Sequence, residues 1–145
     1  MSDDATKRVL LVDDSPTVTC VLRTYLMGRG WGFIHEPDGE RGLRRALFEQ
    51  PDVVVSDIEM PLRSGIELCA AVKSAPGLAR TRVILISSKW TEDRRAAARR
   101  AGVDGWLSKP VDPEALVDLV SKLMRPTTSG EYCFGVSPLH RKWGV

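Results

Sequence analysis

Short apolar, β-branched runs recur along the chain with helical patterns between them: Val9-Leu10-Leu11-Val12, Phe33-Ile34-His35, Val53-Val54-Val55-Ser56 and Val83-Ile84-Leu85-Ile86, with a weaker one at Trp106-Leu107. The first, third and fourth are apolar throughout, as strands buried on both faces of a parallel sheet must be. Such strands need helices on both sides. Start signals for those helices fall between the runs: Ser15 before Pro16, Asp38, Ser64, Thr91, and Asp112 before Pro113. Each offers a side-chain oxygen to the unpaired N–H groups of a first helical turn. Gly28 and Gly30, Pro51 and Gly102 supply the stops. The pattern predicts five βα units between residues 7 and 124, folded as an α/β open sheet with right-handed crossovers.

At 145 residues and 16.0 kDa there is room for one domain, with residues 1–6 as an extension and 125–145 as a tail after the Pro126-Thr127-Thr128-Ser129-Gly130 break. A net charge of +2 implies neither nucleic acid nor an acidic surface as partner. Cys20, Cys69 and Cys133 are odd in number and lack metal-ligand spacing, which argues against a disulfide framework. The polar, acidic N-terminus lacks the charged-then-apolar pattern of a leader, so none is expected, and no apolar run approaches the ~18 residues of a membrane span. The expectation is a cytoplasmic, reduced protein with no membrane contact. The fifth helix carries an apolar arc wider than one packing face needs, so a cover is expected. That cover would be a second copy, an output partner, or the chain's own tail through Tyr132, Phe134 or Trp143.

In an open α/β sheet the ligand site lies beyond the carboxyl ends of the strands, where the strand order reverses. The first strand ends in Asp13-Asp14, the third in Asp57, the fourth in Ser87-Ser88 and the fifth in Ser108-Lys109-Pro110. Three close carboxylates repel one another, and a hard divalent cation bound through oxygen relieves the repulsion; Mg²⁺ suits that donor set. Mg²⁺ takes one or two carboxylates plus phosphate oxygens, which leaves one carboxylate as a nucleophile toward phosphorus. Lys109 and the Ser87 hydroxyl would face the charge developing on the phosphoryl oxygens. The chemistry predicted is phosphoryl transfer to an aspartate.

These motifs together, Val9 to Pro16, Val55 to Pro61 with Ser64 to Leu68, Ile84 to Ser88, and Gly105 to Pro110, resemble the receiver domain of two-component response regulators. The resemblance covers roughly residues 7 to 124. It implies a flavodoxin-like (βα)5 fold with a five-stranded parallel sheet of order 2-1-3-4-5. It makes Asp57 the phosphoacceptor and Asp14 a direct Mg²⁺ ligand, with Asp13 acting through metal-bound water and the backbone carbonyl of Glu59 completing the protein ligands. Ser87 and Lys109 would bond the phosphoryl group. Trp106 stands at the aromatic switch position, usually Tyr or Phe, where a larger ring would have to swing inward when Ser87 moves. Lys109-Pro110 resembles the family's cis peptide. Glu59 and Lys89 flank the acceptor and would tune hydrolysis, pairing across the pocket.

The partners implied are a sensor histidine kinase or histidine phosphotransfer protein and a downstream protein. The surface of the fourth helix, fifth strand and fifth helix would carry the signal or a homodimer contact. The leading expectation is a stand-alone receiver that catalyses only its own phosphorylation and dephosphorylation. The alternatives are a relay intermediate, a phosphate-independent scaffold, and a fragment of a longer regulator. A haloacid-dehalogenase-like phosphatase fits poorly, because Asp57-Ile58-Glu59 offers Glu where that family has Asp.

Overall fold

The computed structural model describes residues 6–124. The tail, and with it the expected docking of its aromatic residues on the fifth helix, lies outside the described residues. The elements are β1 (Arg8–Val12), α1 (Pro16–Leu26), β2 (Gly32–Glu36), α2 (Gly39–Glu49), β3 (Val53–Asp57), α3 (Gly65–Ser74), β4 (Arg82–Ser87), α4 (Glu92–Arg100), β5 (Gly105–Ser108) and α5 (Pro113–Met124), with one 3₁₀ turn at Pro76–Leu78. All five strands are parallel, in the order β2-β1-β3-β4-β5. This is the flavodoxin-like sheet that the resemblance implies, built on the open α/β pattern of the sequence.

Each predicted cap forms. Ser15 Oγ accepts from the Val18 N–H, Asp38 from Arg41, Thr91 from Arg94 and Asp112 from Ala115. Ser64 and Glu67 make a reciprocal capping box at the start of α3. Each cap is worth about 1 kcal/mol, so together they set where the helices begin. The end of α2 departs from expectation: before Pro51, Gln50 caps the helix in the left-handed conformation at φ 50°.

Alternate residues along each strand enter two separate cores. Val9, Leu11, Val53, Val55, Ile84, Ile86 and Leu107 face α1 and α5, packing on Leu22, Leu26, Leu116 and Leu119. Leu10, Val12, Val54, Val83, Leu85 and Trp106 face the other side, against Ala46, Leu68, Val72 and Ala98. Two aspartates at the opposite end of the sheet from the candidate site each grip both backbone groups of one residue in the neighbouring strand. Asp52 donates its N–H to Arg8 O and accepts the Arg8 N–H on its carboxylate at 2.8 Å. Asp104 does the same with Val83, its carboxylate accepting at 2.7 Å.

The apolar arc of α5 is used by the chain itself. Ala115, Leu116, Leu119, Val120 and Leu123 are buried, and Val117 and Met124 pack partly buried against the same core. The large apolar side chains that do stand exposed, Val21, Met27, Leu47, Phe48 and Leu62, lie on α1 and at its C-cap, on α2 and in the β3–α3 loop. The expected uncovered face on α5 is therefore absent among the described residues. No helix among them is long and apolar enough to cross a membrane.

Candidate functional site

The chain runs from β1 outward to β2 and returns to β3, so the strand order reverses between β1 and β3. The ends of those two strands carry the acidic residues. Asp13, Asp14 and Asp57 bring ligand oxygens within 4.8 Å of one another. Asp13 and Asp57 are buried while Asp14 is exposed, so the cluster opens to solvent on one side.

Backbone geometry sets these carboxylates in place. The Ser15 N–H donates to Asp13 Oδ1 at 2.8 Å, folding the β1–α1 loop over the first carboxylate. His35 Nε2 lies 3.2 Å from Asp13 O, bringing a ring from β2 to the same edge. Gly65, the first residue of α3, lies so close to the Asp57 carbonyl that a Cβ would collide with it and stand 2.9 Å from Ile58 Cα. The absence of a side chain there lets α3 begin directly beneath the end of β3.

From β5, Lys109 reaches across: its Nζ is 3.0 Å from Asp57 Oδ1 and 3.8 Å from Asp13 Oδ2. The Lys109–Pro110 peptide bond is cis. Burial pushes the Asp57 and Asp13 carboxyls above the ordinary range, and the Lys109 ammonium offsets only part of that rise. Burial pulls Lys109 downward, but the Asp57 contact and the charges of Asp57, Asp13 and Glu59 leave it above its usual value. Asp57 Oδ1 is buried and, among the described residues, faces only the Lys109 ammonium, so lone-pair capacity is left over. An all-oxygen, partly buried donor set with such capacity fits a hard divalent cation of the Mg²⁺ type.

Ser87, at the end of β4, is fully buried. Its Oγ lies 3.1 Å from Glu59 Oε2 and accepts the Lys89 N–H at 3.0 Å. The expected Glu59–Lys89 pair does not form. Lys89 turns its backbone toward Ser87, leaving its side chain exposed, and Glu59 pairs with Arg94 of α4. Burial raises Glu59, but the hydrogen bonds from Arg94 and Ser87 and the guanidinium charge outweigh it and hold the carboxyl below the ordinary range.

Trp106 also corrects an expectation, because its indole is already inside, at 1% exposure. The Trp90 ring lies 5.3 Å away and the Arg99 guanidinium 5.6 Å away, while Trp90 Nε1 donates to Leu107 O at 2.9 Å. In this arrangement the large ring is packed between Trp90 and Arg99 without any inward movement. Arg94, Trp90 and His35 are site neighbours that the strand-end motifs do not reveal. Arg94 has a sequence signal nonetheless: three residues after the Thr91 cap, it holds the position whose side chain reaches back over a helix start.

A doubly wound sheet with carboxylates at the reversal point and a lysine facing them defines a receiver-type signalling domain. The chain belongs to the response regulator receiver domain family, whose model matches residues 9–121. It is 32% identical over 117 residues to Protein PilH of Pseudomonas aeruginosa, covering 81% of this chain and 97% of that protein. It is 28% identical over 119 residues to the alkaline phosphatase synthesis transcriptional regulatory protein PhoP of Bacillus subtilis, covering 82% of this chain. The chain spans about half the length of PhoP, 49%. The chemotaxis response regulator CheY4 of Vibrio cholerae superposes with a TM-score of 0.75 at 27% identity, over 82% of this chain and 99% of that one.

Proposed function

We propose that Asp57 accepts a phosphoryl group from a histidine kinase or histidine phosphotransfer protein, and that the phosphorylated domain signals by binding a downstream protein. The observation that carries this reading is the Asp57–Lys109 contact at 3.0 Å inside the three-aspartate cluster. A buried carboxylate with spare lone-pair capacity, flanked by a fixed cation, is a nucleophile prepared for an anionic electrophile.

In the proposed reaction an Asp57 oxygen attacks the phosphorus of phosphohistidine. The P–O bond forms as the P–N bond breaks, and the departing imidazole nitrogen keeps the electron pair. Lys109 holds a positive charge where negative charge builds on the phosphoryl oxygens. Asp13, Asp14, Asp57 and the backbone carbonyl of Glu59 would hold Mg²⁺, which supplies charge neutralisation to the phosphoryl oxygens. Ser87 offers its hydroxyl to the phosphoryl group, and that displacement carries the change to α4 and β5. Glu59 and Lys89, flanking the acceptor, would tune hydrolysis of the acyl phosphate, with Arg94 holding the Glu59 carboxylate. The domain catalyses its own phosphorylation and dephosphorylation and turns over no separate substrate. The surface of α4, β5 and α5 is where a downstream protein or a second copy would read the change.

Intact mass after incubation with acetyl phosphate tests the reading. Wild type gains one phosphoryl mass when Mg²⁺ is present, and Asp57→Asn gains none. Equal labelling of both proteins would remove Asp57 from the role.

A further inference from the structure

The guanidinium of Arg94 reaches back from the first turn of α4 over the mouth of the cleft. Its Nη1 lies 3.0 Å from Ser87 Oγ and 2.9 Å from Lys89 O, and the same nitrogen pairs with Glu59. It thereby ties the β4–α4 loop to the β3–α3 loop. A hydroxyl has one proton and two lone pairs. At Ser87 the lone pairs face the Lys89 N–H and Arg94, while the proton faces Glu59 Oε2 at 3.1 Å or Lys89 O at 3.2 Å. The hydroxyl is saturated, and none of these partners is Asp57.

Taking Asp57 as the phosphoacceptor, we propose that Arg94 is a positioning residue that latches Ser87 in its unphosphorylated arrangement through Glu59. A phosphoryl group on Asp57 needs the Ser87 proton as a donated hydrogen bond, and that proton faces Glu59 Oε2 or Lys89 O, both of which Arg94 also holds. Capture of the phosphoryl group must therefore draw the Ser87 hydroxyl away from the group formed by Glu59, Arg94 and Lys89 O. The Glu59 and Arg94 side chains are 44% and 33% exposed, so solvent screens the pair. A latch of that kind biases the equilibrium by about two- to fivefold. Its effect is to retard phosphorylation and to keep the unphosphorylated domain in one state.

Amide NMR of the full chain, without and with Mg²⁺ and beryllofluoride as the phosphoryl analogue, tests the latch alongside the rate of mass gain from acetyl phosphate. In Arg94→Ala without analogue, the Ser87, Lys89 and Trp90 amide signals are expected part-way toward their analogue-bound wild-type positions. Labelling should be about two- to fivefold faster. Glu59→Gln, which leaves α4 intact, should move both readouts in the same direction, and Arg94→Lys should restore them in part. Unchanged signals and rates in Arg94→Ala and Glu59→Gln would overturn the latch. So would slower labelling, which would make Arg94 a ligand of the phosphoryl group instead. If wild type binds no beryllofluoride and gains no mass, the reading of Asp57 fails and the latch with it. If wild type does both and the variants match it, the latch alone fails.

Discussion

Lys109 Nζ and Asp57 Oδ1 meet at 3.0 Å although Lys109 follows β5 and Asp57 ends β3, two strands separated in the sheet by β4. The ammonium spans the carboxyl edge and also faces Asp13, so it partly neutralises two buried acids. Lys109→Ala should lower stability at pH 7 by about 1–3 kcal/mol, less than a fully buried pair would cost. The lysine side chain is itself 27% exposed. Loss of the ammonium raises Asp57 and Asp13 further, so the defect is felt where the acids are ionised in the wild-type fold. It should shrink as pH falls through the folded-state values and vanish below those of the wild type, where both proteins carry neutral acids. Urea unfolding across that range checks the trend, and a defect that grows on acidification would contradict it.

Asp57→Asn should unfold at a higher temperature than wild type at pH 7 in the presence of a chelator. Burial raises the folded-state value of Asp57, so the protonated form favours the fold. That contribution is present below 3.8 and is lost as pH rises through the folded value. Asn keeps the uncharged form at every pH. The advantage should therefore disappear at low pH, and added Mg²⁺ should narrow it by stabilising wild type through binding. Calorimetry with and without chelator decides the point.

Cys20 and Cys69 should differ sharply toward alkylating reagents. Burial pushes the Cys69 thiol up to about 12, and its Sγ lies 3.6 Å from Ala101 O, whereas Cys20 is exposed on α1. The thiolate is the reactive form, so at pH 8 the Cys69 thiolate fraction is about 10⁻⁴ even before access is considered. Peptide mapping after brief iodoacetamide treatment should find the label on Cys20 and leave Cys69 unmodified. Matching rates would mean that the core around Cys69 opens readily.

Trp106→Ala should cost about 3–5 kcal/mol, the range for deleting a large aromatic side chain from a core. A double-mutant cycle with Trp90→Ala should isolate about 0.5–1.5 kcal/mol of coupling between the two rings, beyond burial. Additive effects would mean that the 5.3 Å approach carries no energy of its own.

Gly65→Ala should destabilise the domain by about 1–3 kcal/mol, because the added methyl meets backbone atoms that cannot rotate away. The collision falls on the Asp57 carbonyl, so Mg²⁺ affinity should fall together with stability. Unaltered affinity in a calorimetric titration would show that the strain is absorbed in α3 alone.

The fold was legible in the sequence because its determinants are local. Five polar caps mark the helix starts, and the apolar runs at Val9, Val53 and Val83 announce strands covered on both faces. The acidic cluster followed from topology, since Asp13, Asp14 and Asp57 end the two strands that flank the reversal. Side-chain partners across the cleft were not legible. Whether Glu59 meets Lys89 or Arg94 depends on the turn of the backbone after Ser87, which the composition of that loop does not specify. The position of Trp106 depends on Trp90 and Arg99, residues before and on α4 whose shapes must be known together. The surplus apolar arc of α5 was misleading for a related reason, because the width of the surface it covers is a property of the finished sheet.

The two brackets at the far end of the sheet, Asp52 on Arg8 and Asp104 on Val83, have a bearing on the chemistry at the near end. Where one face of a sheet is wet, a strand that slips by one residue turns its apolar side chains into water and is rejected. Here both faces are dry, and a slipped β1 would merely exchange Leu10 and Leu11 between two equally oily compartments. Hydrophobicity alone is nearly blind to that error. An aspartate that accepts one residue's N–H while donating to the same residue's carbonyl is not blind to it, since a slip separates both contacts and leaves a carboxylate without its partner. Alignment of the strand tips, and therefore of Asp13 beside Asp57, is in this way metered from the bottom of the sheet, by residues that never approach the ligand.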